Sequence, residues 1–228
     1  PLYDIKFIIK RRYLHIDTAA EIFTIYDRSY FFIFTSLSQR KMFFKEIQSL
    51  KPENLQFIIQ KDVQQKFISK LQAKWSTGEM SNFEYLFWLN VLSGRSIHDL
   101  SQYPVYPWVI CDYERDKIDF YDNSIYRDLS KPIGALNNDR LQTLQKLYKD
   151  SSEDDPFLCL YRFHYSAPAY VISYLIRKEP FTTLHIQLQK GKFDYPNRLF
   201  YSISSTWNSV LSSSNDFREL IPEFYSTP

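Results

Sequence analysis

Glycine is scarce in this chain of 228 residues: 4 are present, where ordinary usage of about 7% would give about 16. Glycine-rich phosphate loops, collagen-like repeats and flexible Gly/Ser linkers are therefore excluded. Cysteine is nearly absent as well. Cys111 and Cys159 cannot form a disulfide framework, which makes a reducing cytosol the expected compartment. No apolar run approaches the roughly 18 residues of a membrane-spanning helix, and "YFFIF" (Tyr30 to Phe34) is only strand-sized. The formal net charge of +2 is too mild to argue for nucleic acid. No P-loop, dinucleotide fingerprint, G-x-S-x-G, H-E-x-x-H or C-x-x-C occurs, so the usual support for nucleotide, hydrolase, zinc-protease and redox chemistry is missing. The chain starts at Pro1 with no initiating Met or signal peptide; we expect a piece of a longer intracellular protein.

What is abundant is aromatic: Phe, Tyr and Trp make up 18% of the chain, a large apolar payload that excludes disorder. Residues 1–50 read as strands followed by a helix. "YDIKFIIKRRYL" is β-branched and aromatic, and "AAEIFTIYDRSYFFIFTS" predicts a hairpin turning at Asp27, Arg28 and Ser29. Ser36 or Ser38 can cap a helix to about Gln48, with Met42, Phe43 and Ile47 on its apolar face. Pro52 marks a break.

Beyond residue 57 the pattern turns helical, with Val63, Phe67, Leu71 and Trp75 in one stripe. Ser81 and Glu84 fit a capping box, and "NFEYLFWLNVL", apolar nearly all round, is expected to be buried and stopped by Gly94. Pro104, Pro107 and Pro132 punctuate aromatic extended segments expected inside the core. Further helices are predicted at 138–149, from Pro168 to Arg177, from a Thr182 cap to near Gly191, and after an Asp194 cap with Leu199, Phe200, Ile203, Trp207 and Leu211 aligned.

Candidate chemistry is thin. Cys111 or Cys159 with His98 or His164 could form a nucleophile–base pair, but both cysteines stand in apolar surroundings typical of core thiols. Four histidines and two cysteines are scattered without ligand spacing, so we expect no metal and no cofactor. Asp112, Asp116 and Asp119 read as turn caps paired with Arg115 or Lys117, and Arg95 with Asp99 as a buried polar tie. The cluster Lys6, Lys10, Arg11 and Arg12 has three readings: a lipid-facing patch, a solvated strand edge, or a charged domain interface with Glu21 as neighbour.

"KWSTGEMSNFEYLFWLNVLSGRSIHDLSQYPVYPWVICDY" strongly resembles the BEACH domain family, of the neurobeachin and lysosomal trafficking regulator type. "YRDLSKPIGALN", "EPFTTLHIQLQKGKFDYPNRLFYSI" and "ELIPEF" match further family blocks, so the likeness covers about residues 57–228. Residues 1–50, through "IKRRYL" and "AAEIF", resemble the second half of the PH-like domain that precedes BEACH. There are departures. After "RFHY" the chain runs directly into "SAPAY", "PEFYSTP" stops where the family continues, and the front PH strands are absent. We expect family segments left out of this numbering, one near 165–166, rather than deleted, because deletion would bare large apolar faces.

The resemblance implies an α+β fold: a partial PH-like β-barrel (1–50) whose C-terminal helix packs on a mainly helical BEACH domain (62–228) with extended, non-sheet core segments, joined by a linker at 51–61. It further implies a non-enzymatic scaffold in intracellular vesicle and membrane trafficking, autophagy and lysosomal sorting included. Such a scaffold would be cytoplasmic and peripheral to membranes, with trafficking or signalling proteins as partners and a WD40 domain following in the parent protein. Partner or domain-interface candidates are Arg11, Arg12 and Glu21 on the PH side and Trp75, Glu79 and Asn82 opposite. The alternative is a lipid-binding module using Lys6, Lys10, Arg11 and Arg12.

Overall fold

The structure, a computed structural model, describes residues 1–59, 61–152, 154–156, 158–161 and 164–226, and for 57–59 and 61–63 the backbone alone. Val63 of the predicted stripe, Glu153 of the acidic loop, and Arg162 and Phe163 of "RFHY" thus lie outside the described side chains. The fold is mixed helix and sheet, and the chain divides into two compact units, 1–104 and 105–228.

In the first unit, strands β1 (Ile5–Tyr13), β2 (Ile16–Thr24), β3 (Ser29–Ile33) and β4 (Phe57–Ile59) form an open sheet in the order β3-β2-β1-β4. The first three pair antiparallel as the hairpin chemistry predicts, while β4 lies parallel to β1. That three-residue pairing sits within the stretch read as a linker, too short for any alternation to announce it. The sheet is covered on both faces. One carries Ile5, Ile8, Ala20 and Ile22 against Phe44 and Ile47 of α1 (Leu37–Leu50). The other carries Phe7, Ile9 and Phe23 against Val91 of α3 (Asn82–Leu92). Two-sided burial explains why β1 is apolar at consecutive positions rather than alternate ones.

Ser36 caps α1 by accepting the Gln39 N–H. Met42, predicted on the apolar face, is instead 60% exposed, because Arg40, Phe44 and Ile47 define the buried stripe. Helix α2 (Lys61–Ser76) buries Leu71. Ser81 caps α3 by accepting the Glu84 N–H, and Gly94 closes it with φ +96°. The expectation that α3 is buried all round is corrected: Asn90 and Val91 are buried, whereas Phe83 is 37% exposed. Only the C-terminal end of the helix lies fully beneath the sheet.

The second unit holds α4 (Asn138–Asp150), α5 (Pro168–Tyr174), α6 (Phe181–Leu188) and α7 (Ile203–Ser212) around extended backbone. As expected, among the described residues that backbone runs through the core without regular sheet, meeting at the isolated bridges Tyr106–Leu220 and Ile110–Tyr126. Side chains satisfy much of the remainder. Trp108 is fully buried; its N–H donates to Glu219 Oε2, and its Nε1 donates to the Arg218 carbonyl. Arg140 donates to the carbonyls of Gly134, Ile133, Val210 and Ser213. Two predicted caps are corrected. Thr182 lies inside α6, its hydroxyl donating to the Ile176 carbonyl. Ser202, not Asp194, caps α7, because one turn at Pro196–Arg198 and extended backbone at Leu199 intervene.

Candidate functional site

Strand register brings the first pair of candidates together. Arg11 lies opposite Ala19 on β2, so Glu21, two residues on, is its diagonal neighbour. Arg11 Nε donates to Glu21 Oε2 at 2.7 Å, and their side chains are 1% and 2% exposed. Burial pulls the guanidinium pKa down, and the Glu21 carboxylate opposes that shift. Two residues from the end of α3 and the loop after it complete the cluster. Arg11 Nη1 donates to the Val91 carbonyl at 2.5 Å, and Ser96 Oγ donates to Glu21 Oε1 at 3.0 Å. A buried pair can be held only with its remaining valences met in this way. Arg12, one residue along the strand, is exposed.

The sheet and α3 also line an aromatic cleft of about 290 Å³. Phe7 and Phe23 of the sheet and Phe83, Phe87 and Trp88 of α3 line it, together with Lys6, Asp27 and Glu84. Trp88 is its centre: Phe7 and Phe67 meet it edge-on at 5.1 and 5.4 Å. Such a lining suits an apolar anchor fixed by a few charges.

Trp75, Glu79 and Asn82 are not part of that arrangement. Trp75 Nε1 donates to Asn82 Oδ1 at 2.7 Å and its ring stacks on Tyr85, while Glu79 accepts from Thr77. All three are exposed, and Asn82 stands at the far end of α3 from Val91, about 13 Å along the axis. The residues facing Arg11 and Glu21 are Val91 and Ser96, which the sequence reading did not single out. Ser96 sits in the quoted "GRSIHDL", but nothing local marks a serine as a carboxylate's partner.

The four basic residues of the lipid reading do not share one surface. Arg11 is buried in its ion pair, Lys10 and Arg12 are exposed, and Lys6 is half-buried with Nζ over the Phe7 ring. Alternation along β1 sends Arg11 to the opposite face from its two neighbours.

The remaining candidates fall into structural roles. Arg95 donates to the Tyr103 carbonyl, and Asp99 accepts from the N–H and hydroxyl of Ser101. Each therefore ties down the same loop, and the expected tie between Arg95 and Asp99 is not formed. His98 meets Ser29 Oγ at 2.9 Å. Cys111 Sγ donates to the Ser124 carbonyl, and burial together with Asp112 pushes its thiol pKa up; Cys159 is exposed. A raised pKa opposes thiolate formation. Arg115 bridges Asp112 and Asp122 at 2.5 and 2.6 Å. Among the described residues no His, Cys, Asp or Glu group has metal-binding geometry, and no helix is long and apolar enough to cross a membrane.

Residues 73–228 match the Beige/BEACH domain, and residues 1–48 match the PH domain associated with Beige/BEACH. The chain is 44% identical to BEACH domain-containing protein lvsE of Dictyostelium discoideum over 99% of its length. It is 48% identical to BEACH domain-containing protein B of Arabidopsis thaliana over 68% of its length, and 37% identical to a putative neurobeachin homolog of Caenorhabditis elegans over 100%. It spans 10%, 6% and 9% of those proteins respectively.

Proposed function

The chain belongs to the BEACH family, joined to the PH domain associated with it, and from that premise we propose that it is a non-catalytic docking module of a trafficking scaffold. The observation that carries this reading is the packing within the first unit. The PH-like strands and the first BEACH helices share one core, and the buried Arg11–Glu21 pair is bonded to Val91 and Ser96 on the BEACH side. This rigid seam presents the aromatic cleft of Phe23, Phe83, Phe87 and Trp88 as the surface for a protein partner. The partner's chemistry would be an apolar or aromatic side chain, with charges answering Lys6, Asp27 and Glu84. The module would work on the cytosolic face of intracellular membranes, within a parent protein that extends beyond this chain.

The test is to place Phe83→Glu in the parent protein, in cells lacking the wild-type copy. Phe83 is exposed enough for the charge to leave folding intact. We expect an unchanged melting profile of the purified module, loss of co-purifying trafficking proteins, and delayed sorting of endocytosed receptors. Normal sorting with the same co-purifying set would overturn the cleft as the working surface.

A further inference from the structure

Within the second unit, the end of α5, α6 and the chain that follows them border a cavity of about 500 Å³. Ile176, Phe193, Pro196 and Leu199 give it apolar walls, and Arg177 and Asp194 stand among them. The outer wall is held in place before anything binds. The Phe193 ring stacks on His185 of α6 with centroids 5.9 Å apart, and His185 Nε2 accepts the Asp194 N–H at 3.3 Å. A wall fixed in this way needs little further ordering on binding.

The surroundings are apolar and basic together. Leu188, Phe193, Tyr195 and Tyr201 are each more than half exposed, and exposed apolar side chains gathered around a cavity mark a contact surface. From Arg177 to Tyr201 the sequence holds five cations against two acids, a surplus of three where the whole chain has a surplus of two. Both acids are already engaged: Asp194 lies 3.5 Å from Arg198, and Glu179 accepts the Thr183 N–H. Arg177, Lys178, Lys190 and Lys192 have no ion-pair partner among the described residues. Arg177 uses Nη1 on the Phe200 carbonyl at 2.6 Å. Its Nε–Nη2 edge is left, and that edge can hold a carboxylate through two parallel bonds.

We propose that this cavity receives an apolar side chain of an acidic peptide, with a neighbouring carboxylate of that peptide on the Nε–Nη2 edge of Arg177. A cavity of this size suits one large side chain and its flanking backbone. Lys178, Lys190 and Lys192 supply the charge that answers further acids in the peptide. Concavity favours a projecting side chain over a membrane: a flat bilayer surface meets the exposed rim but leaves the walls of Ile176 and Leu199 uncovered. The site lies in the second unit and stands independently of the reading given for the aromatic cleft.

The test is selection of a phage-displayed library of random peptides on the chain, followed by fluorescence anisotropy of the enriched sequences as synthetic peptides. Enrichment is expected for Leu, Phe or Trp flanked by Asp or Glu. Arg177→Gln, and replacement of the peptide's apolar residue by Ala, should each weaken binding about tenfold, the loss of one charge-assisted bond or one buried anchor. Lys192→Gln removes a charge that no acid answers, and should weaken binding less and in a salt-sensitive way. Phe83→Glu in the aromatic cleft and Lys146→Gln on α4 should leave it unchanged. Matching circular dichroism confirms that the variants fold. Enriched peptides that bind Arg177→Gln and Lys192→Gln as well as wild type overturn the site, and their loss with Phe83→Glu assigns them to the aromatic cleft. Failure to enrich acidic sequences overturns it too. Sedimentation with phosphatidylserine vesicles, lost in Lys190→Gln and Lys192→Gln, would then assign the face to a membrane.

Discussion

Arg11 and Glu21 stand diagonally across the β1–β2 ladder, 2.7 Å apart and almost wholly out of water. Each also reaches the C-terminal end of α3 or the loop beyond it, Arg11 through the Val91 carbonyl and Glu21 through Ser96 Oγ. Truncating one partner strands a buried charge, so Arg11→Ala should cost about 3–5 kcal/mol. The double replacement Arg11→Met with Glu21→Leu removes both charges and should recover most of that loss. Denaturant titration followed by tryptophan fluorescence reads the difference. Additive losses would mean that the two side chains do not act as a pair.

Trp88 and Trp75 make opposite forecasts although both stand in family motifs. Trp88 meets Phe7, Phe23 and Phe67 within 6.0 Å, so Trp88→Ala should cost about 3 kcal/mol or more. Trp75 is 41% exposed and stacks on Tyr85; Trp75→Ala should cost about 1 kcal/mol. Thermal melts of the two variants side by side check this, and equal losses would place Trp75 in the core after all.

Local chemistry was the legible part of the sequence. Ser36, Ser81 and Gly94 act within a few residues of themselves, and each does in the fold what its type and spacing predict. The proline-punctuated aromatic segments around Trp108 were readable too, because proline forbids the regular alternatives. Partners distant in sequence were not. Ser96 lies 75 residues from Glu21, and no periodicity connects them. The basic run at 10–12 looked like one patch because a strand buried on both faces hides its own alternation. Thr182 and Asp194 misled for a different reason: α6 starts one residue earlier, after Pro180 and without a side-chain cap, and Pro196 with the extended Leu199 moved the last helix start to Ser202.

The two cysteines should separate cleanly by alkylation. Burial and the neighbouring Asp112 carboxylate raise the Cys111 pKa, and its Sγ–H is engaged by the Ser124 carbonyl. Cys159 is exposed. Iodoacetamide near neutral pH should label Cys159 first and Cys111 slowly, read by mass spectrometry of the digested protein. Fast labelling of Cys111 would contradict the burial argument and restore a thiol nucleophile to consideration.

Acid should loosen the loop between Cys111 and Tyr126 in a way that Asp122 governs. Its hydrogen bond from Arg115, then those from Ser124, hold its carboxyl down at about 2, against about 3.9 in an unfolded chain. A depressed folded value means that the stabilisation is present above about pH 4 and is lost as pH falls toward about 2. The unfolded state takes up the proton first, so acid favours opening. Asp122→Asn removes this titrating group, and its loop should show a flat response over the same window. Amide exchange of residues 111–126 measures it: wild type should exchange faster with acid, after correction for the intrinsic rate, while the variant should not. Parallel acid responses in both proteins would show that Asp122 does not govern the loop.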